Sequence, residues 1–347
     1  MNYVDQISYQ QSSKYIENLS NEYKGNLFEY LVGEELARIL HLEANFFTNI
    51  PANYRQVLQN YTQNLKNINR SALTSLPKLS KNVANAIATF CLSEGANQFK
   101  NIFLIGKIEN ESIHAEFKEA DLLLIQADGS NLPISLKLCK DNSYINTKSG
   151  GIKSFFAKYF IQFPHAELIQ QLLNSKINFE FQKMLESLCE ELAIPKNEDP
   201  LKIRQAILNR GLSLLPGELP LSLQNRVLNY YYVIANFIYE KMYELYCSDR
   251  ATFIKALQPI CGMGNPSLLQ VFVLHNGYQL QTIKLQNLKK LEANLTEIEF
   301  IKSEQLSKSF FELTMPDYIL QIRVKPMNEY LVPSLKINCS LKVRCDK

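Results

Sequence analysis

The sequence predicts an α/β (α+β) protein, a mixed β-sheet core flanked by helices with a helical insertion and a β-rich C-terminal segment. Three observations carry this. Apolar residues recur at helical spacing early in the chain, the period then shortens to two between about residues 101 and 139, and alternating strands return after a long helical middle. At 347 residues, 46% hydrophobic and 20% charged, the chain can bury a substantial core.

Leu27, Phe28, Leu31, Val32, Leu36, Ile39 and Leu40 share one helical face, which predicts a helix from about Tyr15 to Leu42 carrying Glu29. Two more helices are expected at Tyr54–Ile68 and Ser80–Ser93. Alternation then predicts strands at Asn101–Ile108, Ile113–Phe117, Asp121–Gln126 and Leu132–Cys139. Asp128-Gly129 marks a tight turn between the last two. Helices are expected again over Phe155–Tyr159, Pro164–Ile194 and Leu223–Leu257, where repeating aromatics such as Tyr230 and Phe237 suit a core. Leu268–Leu274 and Tyr278–Leu285 flank the hairpin signal His275-Asn-Gly277, and Tyr318–Val324 and Leu335–Val343 complete the strands. The expected organisation is residues 1–160 as the site-bearing core, 161–260 as a helical region and 261–347 as a β-rich segment of the same globular unit.

No run approaches the 18 or more apolar residues of a membrane span, and the N-terminus lacks the basic and then apolar pattern of a secretory signal, so a cytoplasmic protein with no membrane partner is expected. Seven cysteines without a Cys-x-x-Cys pair argue against a zinc site or a disulfide framework. Cys261-Gly-Met-Gly lacks the Lys-Ser/Thr ending of a phosphate-binding loop. The net charge of +3 is small, yet Lys137–Lys158 holds five lysines against Asp141, and Arg323–Lys347 holds six basic residues. Strips of this kind suit phosphate contact or an ordinary solvated face.

The hairpin Asp121–Lys137 is where chemistry is expected. It sets a carboxylate at the start of one strand and an ammonium on its neighbour, near enough to share a cation and a phosphate. Hydrolysis of a phosphodiester needs an activated water and charge stabilisation, and a divalent cation on hard oxygen ligands supplies much of both. A lysine beside the cation orients the water and offsets developing charge.

In these residues the sequence resembles the PD-(D/E)xK nuclease superfamily, and most closely its type II restriction endonucleases. The resemblance rests on Glu29 in Lys24-Gly-Asn-Leu-Phe-Glu-Tyr30, Asp121 in Glu119-Ala-Asp-Leu-Leu-Leu-Ile125, and Ile134-Ser-Leu-Lys137, in the order helix, β-hairpin, helix. It covers roughly residues 20–160. It implies a restriction-endonuclease-like sheet and a Mg²⁺-dependent endonuclease acting on double-stranded DNA, with a homodimer as a common form. Asp121 would bind the metal, Lys137 would position or activate the water, and Glu29 would assist. Ser135 stands where the family carries an acid, so the remaining metal donors would be the Leu136 carbonyl with Glu29 or Glu119. Asn146–Ile152 resembles the loop that follows the catalytic strand, which makes Lys140, Lys148, Ser149 and Lys153 the expected nucleic-acid contacts. The substitution at Ser135 equally fits a nuclease-fold binding or effector protein that no longer cuts.

Overall fold

The computed structural model describes residues 3–95, 98–105, 117, 119–195, 200–301 and 309–344. In chain order the elements open with α1 (Tyr3–Ile39), α2 (Glu43–Thr48), α3 (Ala52–Ile68), α4 (Arg70–Ser93), β1 (Phe99–Leu104), β2 (Leu122–Gln126), β3 (Asn131–Lys140) and β4 (Ile145–Gly151). There follow α5 (Phe155–Tyr159), α6 (Ala166–Glu191), α7 (Pro200–Asn209), α8 (Leu221–Ser248) and α9 (Arg250–Ile260). The chain closes with β5 (Leu269–Asn276), β6 (Gln279–Gln286), α10 (Leu288–Leu295), β7 (Glu299–Ile301), β8 (Phe310–Thr314), β9 (Tyr318–Pro326) and β10 (Leu335–Val343).

The chain forms two compact units, residues 1–143 with 263–290, and residues 144–262 with 291–347. This division has a topological cause: β5 pairs in parallel with β3 across more than a hundred residues, drawing part of the C-terminal segment into the first unit. Sequence alternation marks a strand but not its distant partner.

In the first unit a mixed sheet runs β1-β2-β3-β5-β6. The β2–β3 hairpin turns at Gly129, whose positive φ of 88° suits glycine, while the Asp128 carboxylate accepts the Ser130 N–H at 2.8 Å. Strand alternation sends Leu122, Leu124, Ile134, Leu136, Val271 and Val273 to one face, where they join Phe28, Val32, Leu36, Leu76, Val83 and Ile87 of α1 and α4 in the core. Gly33 permits the close approach of α1, since a Cβ there would stand 2.9 Å from the Phe46 ring and 3.0 Å from Leu122. α4 starts at Asn69, whose side chain accepts the Ala72 N–H. The expected strand at Ile113–Phe117, apart from the buried Phe117, and the end of that at Asn101–Ile108 lie outside the described residues.

In the second unit an antiparallel sheet runs β4-β10-β9-β8-β7. Leu335, Ile337, Cys339, Leu341 and Val343 of β10 are buried, as are Tyr230, Tyr231, Ile234, Ile238 and Met242 of α8, and α8 packs on β8 and β9. Tyr230, Tyr231 and Phe253 are buried as their spacing requires, whereas Tyr239 and Tyr246 are half-buried and meet Phe300 edge-on or tilted, and Tyr243 is exposed. The single helix expected over Leu223–Leu257 is two. Asp249 leaves the helical conformation at φ −154° and its side chain accepts the Thr252 N–H, ending α8 and starting α9. Among the described residues, no helix is long and apolar enough to cross a membrane.

Candidate functional site

β2 and β3 part company at Asp121. The regular pairing ends at Leu122 with Ile134, and the Asp121 N–H still reaches the Ile134 carbonyl at 2.8 Å. Beyond that point the Asp121 side chain takes over the role of a strand: its Oδ2 accepts the Leu136 N–H at 2.6 Å and lies 3.4 Å from the Ser135 hydroxyl. A short bond from a main-chain donor to a carboxylate is charge-assisted and fixes the carboxylate's direction. The half-buried Asp121 is therefore held at the mouth of the gap between the two strands.

Register places the other residues. Ile134 and Leu136 point into the helix-covered core, so Ser135 and Lys137 point to the opposite face, which Asp121 shares. Ser135 is 2% exposed and stands beside Gln270 of β5, while Lys137 stands beside Phe272. The Lys137 ammonium also acts on Cys139, two residues along the same face. Burial pushes that thiol up to about 12, and the neighbouring positive charge pulls against the rise. The structure thus brings Asp121, Ser135 and Lys137 to one face of one sheet.

Two expected donors have other surroundings. Glu29, on α1, lies close enough to the buried Tyr54 phenol for its charge to raise that group's pKa, after burial, the larger cause. Its described setting is thus the helical side of the unit. Glu119 is received by the loop before β5: its Oε2 accepts the Gly264 N–H at 3.1 Å, and its carboxylate fills the space a Gly264 side chain would need. Leu136 is a sheet-interior residue with its N–H turned to Asp121.

The expected loop Asn146–Ile152 is for the most part a strand. Ile145–Gly151 forms β4, paired with β10 in the second unit, because β10 offers a ladder of main-chain partners that the segment can take with Ile145 as its one buried residue. Lys148 of β4 acts on the buried Cys339 thiol, Ser149 donates to the Asn338 side chain at 2.9 Å, and Lys153 is exposed on the following 3-10 turn. Lys140 belongs to the first unit. It closes β3 beside His275, whose pKa is lowered first by burial and then by Lys24 and Lys140.

One part of the site escaped sequence reasoning. Asp121, just before β2, forms a polar row with Ser135 of β3, Gln270 of β5 and Gln286 of β6 on the face away from the helical core. Both glutamines are buried, and the Gln286 amide donates to the Gln270 carbonyl oxygen at 2.8 Å. The available signal was Gln270 itself, a polar residue inside the apolar run Leu268-Leu-Gln-Val-Phe272.

Mg²⁺ takes one or two carboxylates and keeps several waters. This face offers one oriented carboxylate, Asp121, and one hydroxyl, Ser135, a donor set that fits the lower end of that requirement. Among the described residues, no group of three His, Cys, Asp or Glu side chains converges as a metal cage. Two sizeable clefts are lined elsewhere, one of about 560 Å³ by residues including His41, Cys91 and Phe99, the other of about 420 Å³ by residues including Glu180, Arg226 and Tyr230. Neither is lined by Asp121, Ser135 or Lys137. Compared with protein-family models, curated proteins and solved structures, the chain matches none of them.

Proposed function

We propose that this chain is a Mg²⁺-dependent endonuclease that hydrolyses phosphodiester bonds of double-stranded DNA, of the type II restriction endonuclease kind, acting in the cytoplasm. The observation that carries the reading is the convergence of Asp121, Ser135 and Lys137 on one sheet face at the point where β2 and β3 separate. A helix followed by a hairpin and a mixed sheet supports the restriction-endonuclease-like fold on the same grounds.

In this reading Asp121 holds the cation, with the Ser135 hydroxyl and the Leu136 carbonyl as neutral donors. When bound, Mg²⁺ supplies charge stabilisation and a more acidic water. The Leu136 N–H fixes the Asp121 carboxylate in place, so orienting it costs little at the moment of binding. Lys137 places a positive charge beside the scissile phosphate and orients the attacking water. The expected assay result is discrete fragments from plasmid or phage DNA in Mg²⁺, absent in EDTA and absent for Asp121→Ala and Lys137→Ala.

A second reading has an observation of its own. The site holds one carboxylate where the resemblance calls for two, which favours a protein that grips DNA through this fold without cutting it. Unchanged DNA in Mg²⁺, together with metal-independent DNA binding, would select it.

A further inference from the structure

We propose that the corner of the second unit's sheet formed by Gly150, Gly151, Arg323, Lys325 and Lys336 is a binding surface for the phosphate backbone of duplex DNA. This rests on the endonuclease reading for the identity of the polyanion.

Lys336 of β10 is directly opposite Lys325 of β9, and Arg323 lies two residues further along β9 on the same face, opposite Asn338. Two like charges facing each other across a ladder cost the fold stability. The Lys325 pKa is lowered by burial and then by Lys336 and Arg323, as expected of cations crowded together. Arg323 lies over the Phe310 ring, 5.1 Å from its centroid. Glu312 accepts from Tyr144 and Gln321, and Glu329 pairs with Arg204. Among the described residues, none of the three cations forms an ion pair. They span about 7 Å along the strand and about 5 Å across it, a spacing on the scale of neighbouring backbone phosphates.

The edge strand beside them has an unusual composition. Gly150 is opposite Ile337 and Gly151 is opposite Lys336. Neither glycine has a positive φ, and an added Cβ at either meets nothing within 4 Å. Packing and backbone geometry therefore do not call for glycine at these positions. A flat, side-chain-free rim next to three cations is what close approach of a rigid duplex requires. Ser149 and Asn338 add neutral hydrogen-bonding groups between rim and cations.

The test is fluorescence anisotropy of a short labelled duplex with the full-length chain in EDTA, titrated over a range of salt. Arg323→Ala/Lys325→Ala/Lys336→Ala should weaken binding at least about tenfold and reduce the slope of log affinity against log salt by about 2 to 3. Gly150→Val/Gly151→Val, which suits a strand and leaves the charge intact, should also weaken binding. Lys66→Ala/Lys78→Ala/Lys81→Ala removes the same charge from exposed helical positions and should bind like the parent. Equal binding and equal slope for the sheet variant would overturn the proposal, as would an equal loss in the helical control. So would a sheet variant that loses only binding to phosphatidylserine vesicles. If the sheet variant fails to bind while the parent binds but leaves DNA uncut in Mg²⁺, this surface stands and the endonuclease reading falls. If the parent cuts and the sheet variant cuts with unchanged KM, the reverse holds.

Discussion

The Asp121 carboxylate accepts the Leu136 N–H at 2.6 Å, so a side chain replaces the main-chain partner that β2 would have supplied. The same atom group closes the sheet and presents a negative charge at the gap. Structure and chemistry are therefore separable at this position by choice of substitution. Asp121→Asn keeps an oxygen that can accept from Leu136 and should change stability by less than about 1 kcal/mol while abolishing Mg²⁺-dependent cleavage. Asp121→Ala leaves the buried Leu136 N–H without this acceptor and should cost about 1–3 kcal/mol. Denaturant unfolding beside a cleavage assay separates the two.

Ser135 is the weaker partner of Asp121, at 3.4 Å. Ser135→Ala should cost under about 1 kcal/mol, well below the loss for Asp121→Ala. A larger loss by the same unfolding measurement would mean that the hydroxyl has a partner of greater weight than Asp121.

Gly33 lets α1 settle against Phe46 and Leu122, the residue next to Asp121. Gly33→Ala gains helix propensity but drives a methyl into the ring, and overpacking of this kind costs about 1–3 kcal/mol. A lowered Tm is the expected outcome, and an unchanged or raised Tm would show that α1 can shift without cost.

His275 accepts the Tyr278 N–H at its Nδ1, which requires the neutral ring, and its pKa is lowered by burial and by Lys24 and Lys140. A depressed pKa means the unfolded chain takes up this proton first as pH falls. Stability is then fully present above the unfolded value of about 6.5 and declines as pH drops through and below it. His275→Gln should flatten that decline in Tm measured across mildly acidic pH, at some cost to stability near neutrality.

Burial pushes the thiols of Cys91 up to about 11 and of Cys139 and Cys339 up to about 12, and raises Cys261 further, whereas Cys247 is exposed. Iodoacetamide at mildly alkaline pH should therefore label Cys247 rapidly and these four only on unfolding, as read by peptide mass spectrometry.

Much of the fold was legible because its signals are local. β10 matches its expected bounds, Leu335–Val343, since apolar and polar residues alternate along its whole length. The β2–β3 hairpin was legible from Asp128-Gly129, and with it the placement of Asp121 and Lys137 on adjoining segments. Pairings that depend on distant chain were not. β4 carries no apolar alternation and exists because β10 offers a partner nearly two hundred residues away. Gln270 reaches Ser135 only through the parallel β3–β5 pairing, so its place in the polar row had no local sign. The break at Asp249 was hidden because apolar spacing continues through it, although an Asp three residues before Thr252 is the pattern of a helix cap.

In the proposed function Asp121 and Lys137 act together on a phosphodiester. The most direct measurement is the rate of cleavage of a supercoiled plasmid in Mg²⁺ by the parent protein, Asp121→Asn and Lys137→Ala, with folding of each confirmed by circular dichroism. The expected result is cutting by the parent that EDTA abolishes, and a fall of at least about a hundredfold in each folded variant. Cleavage that persists at the parent rate in either folded variant would contradict it, as would a parent that binds DNA and leaves it intact.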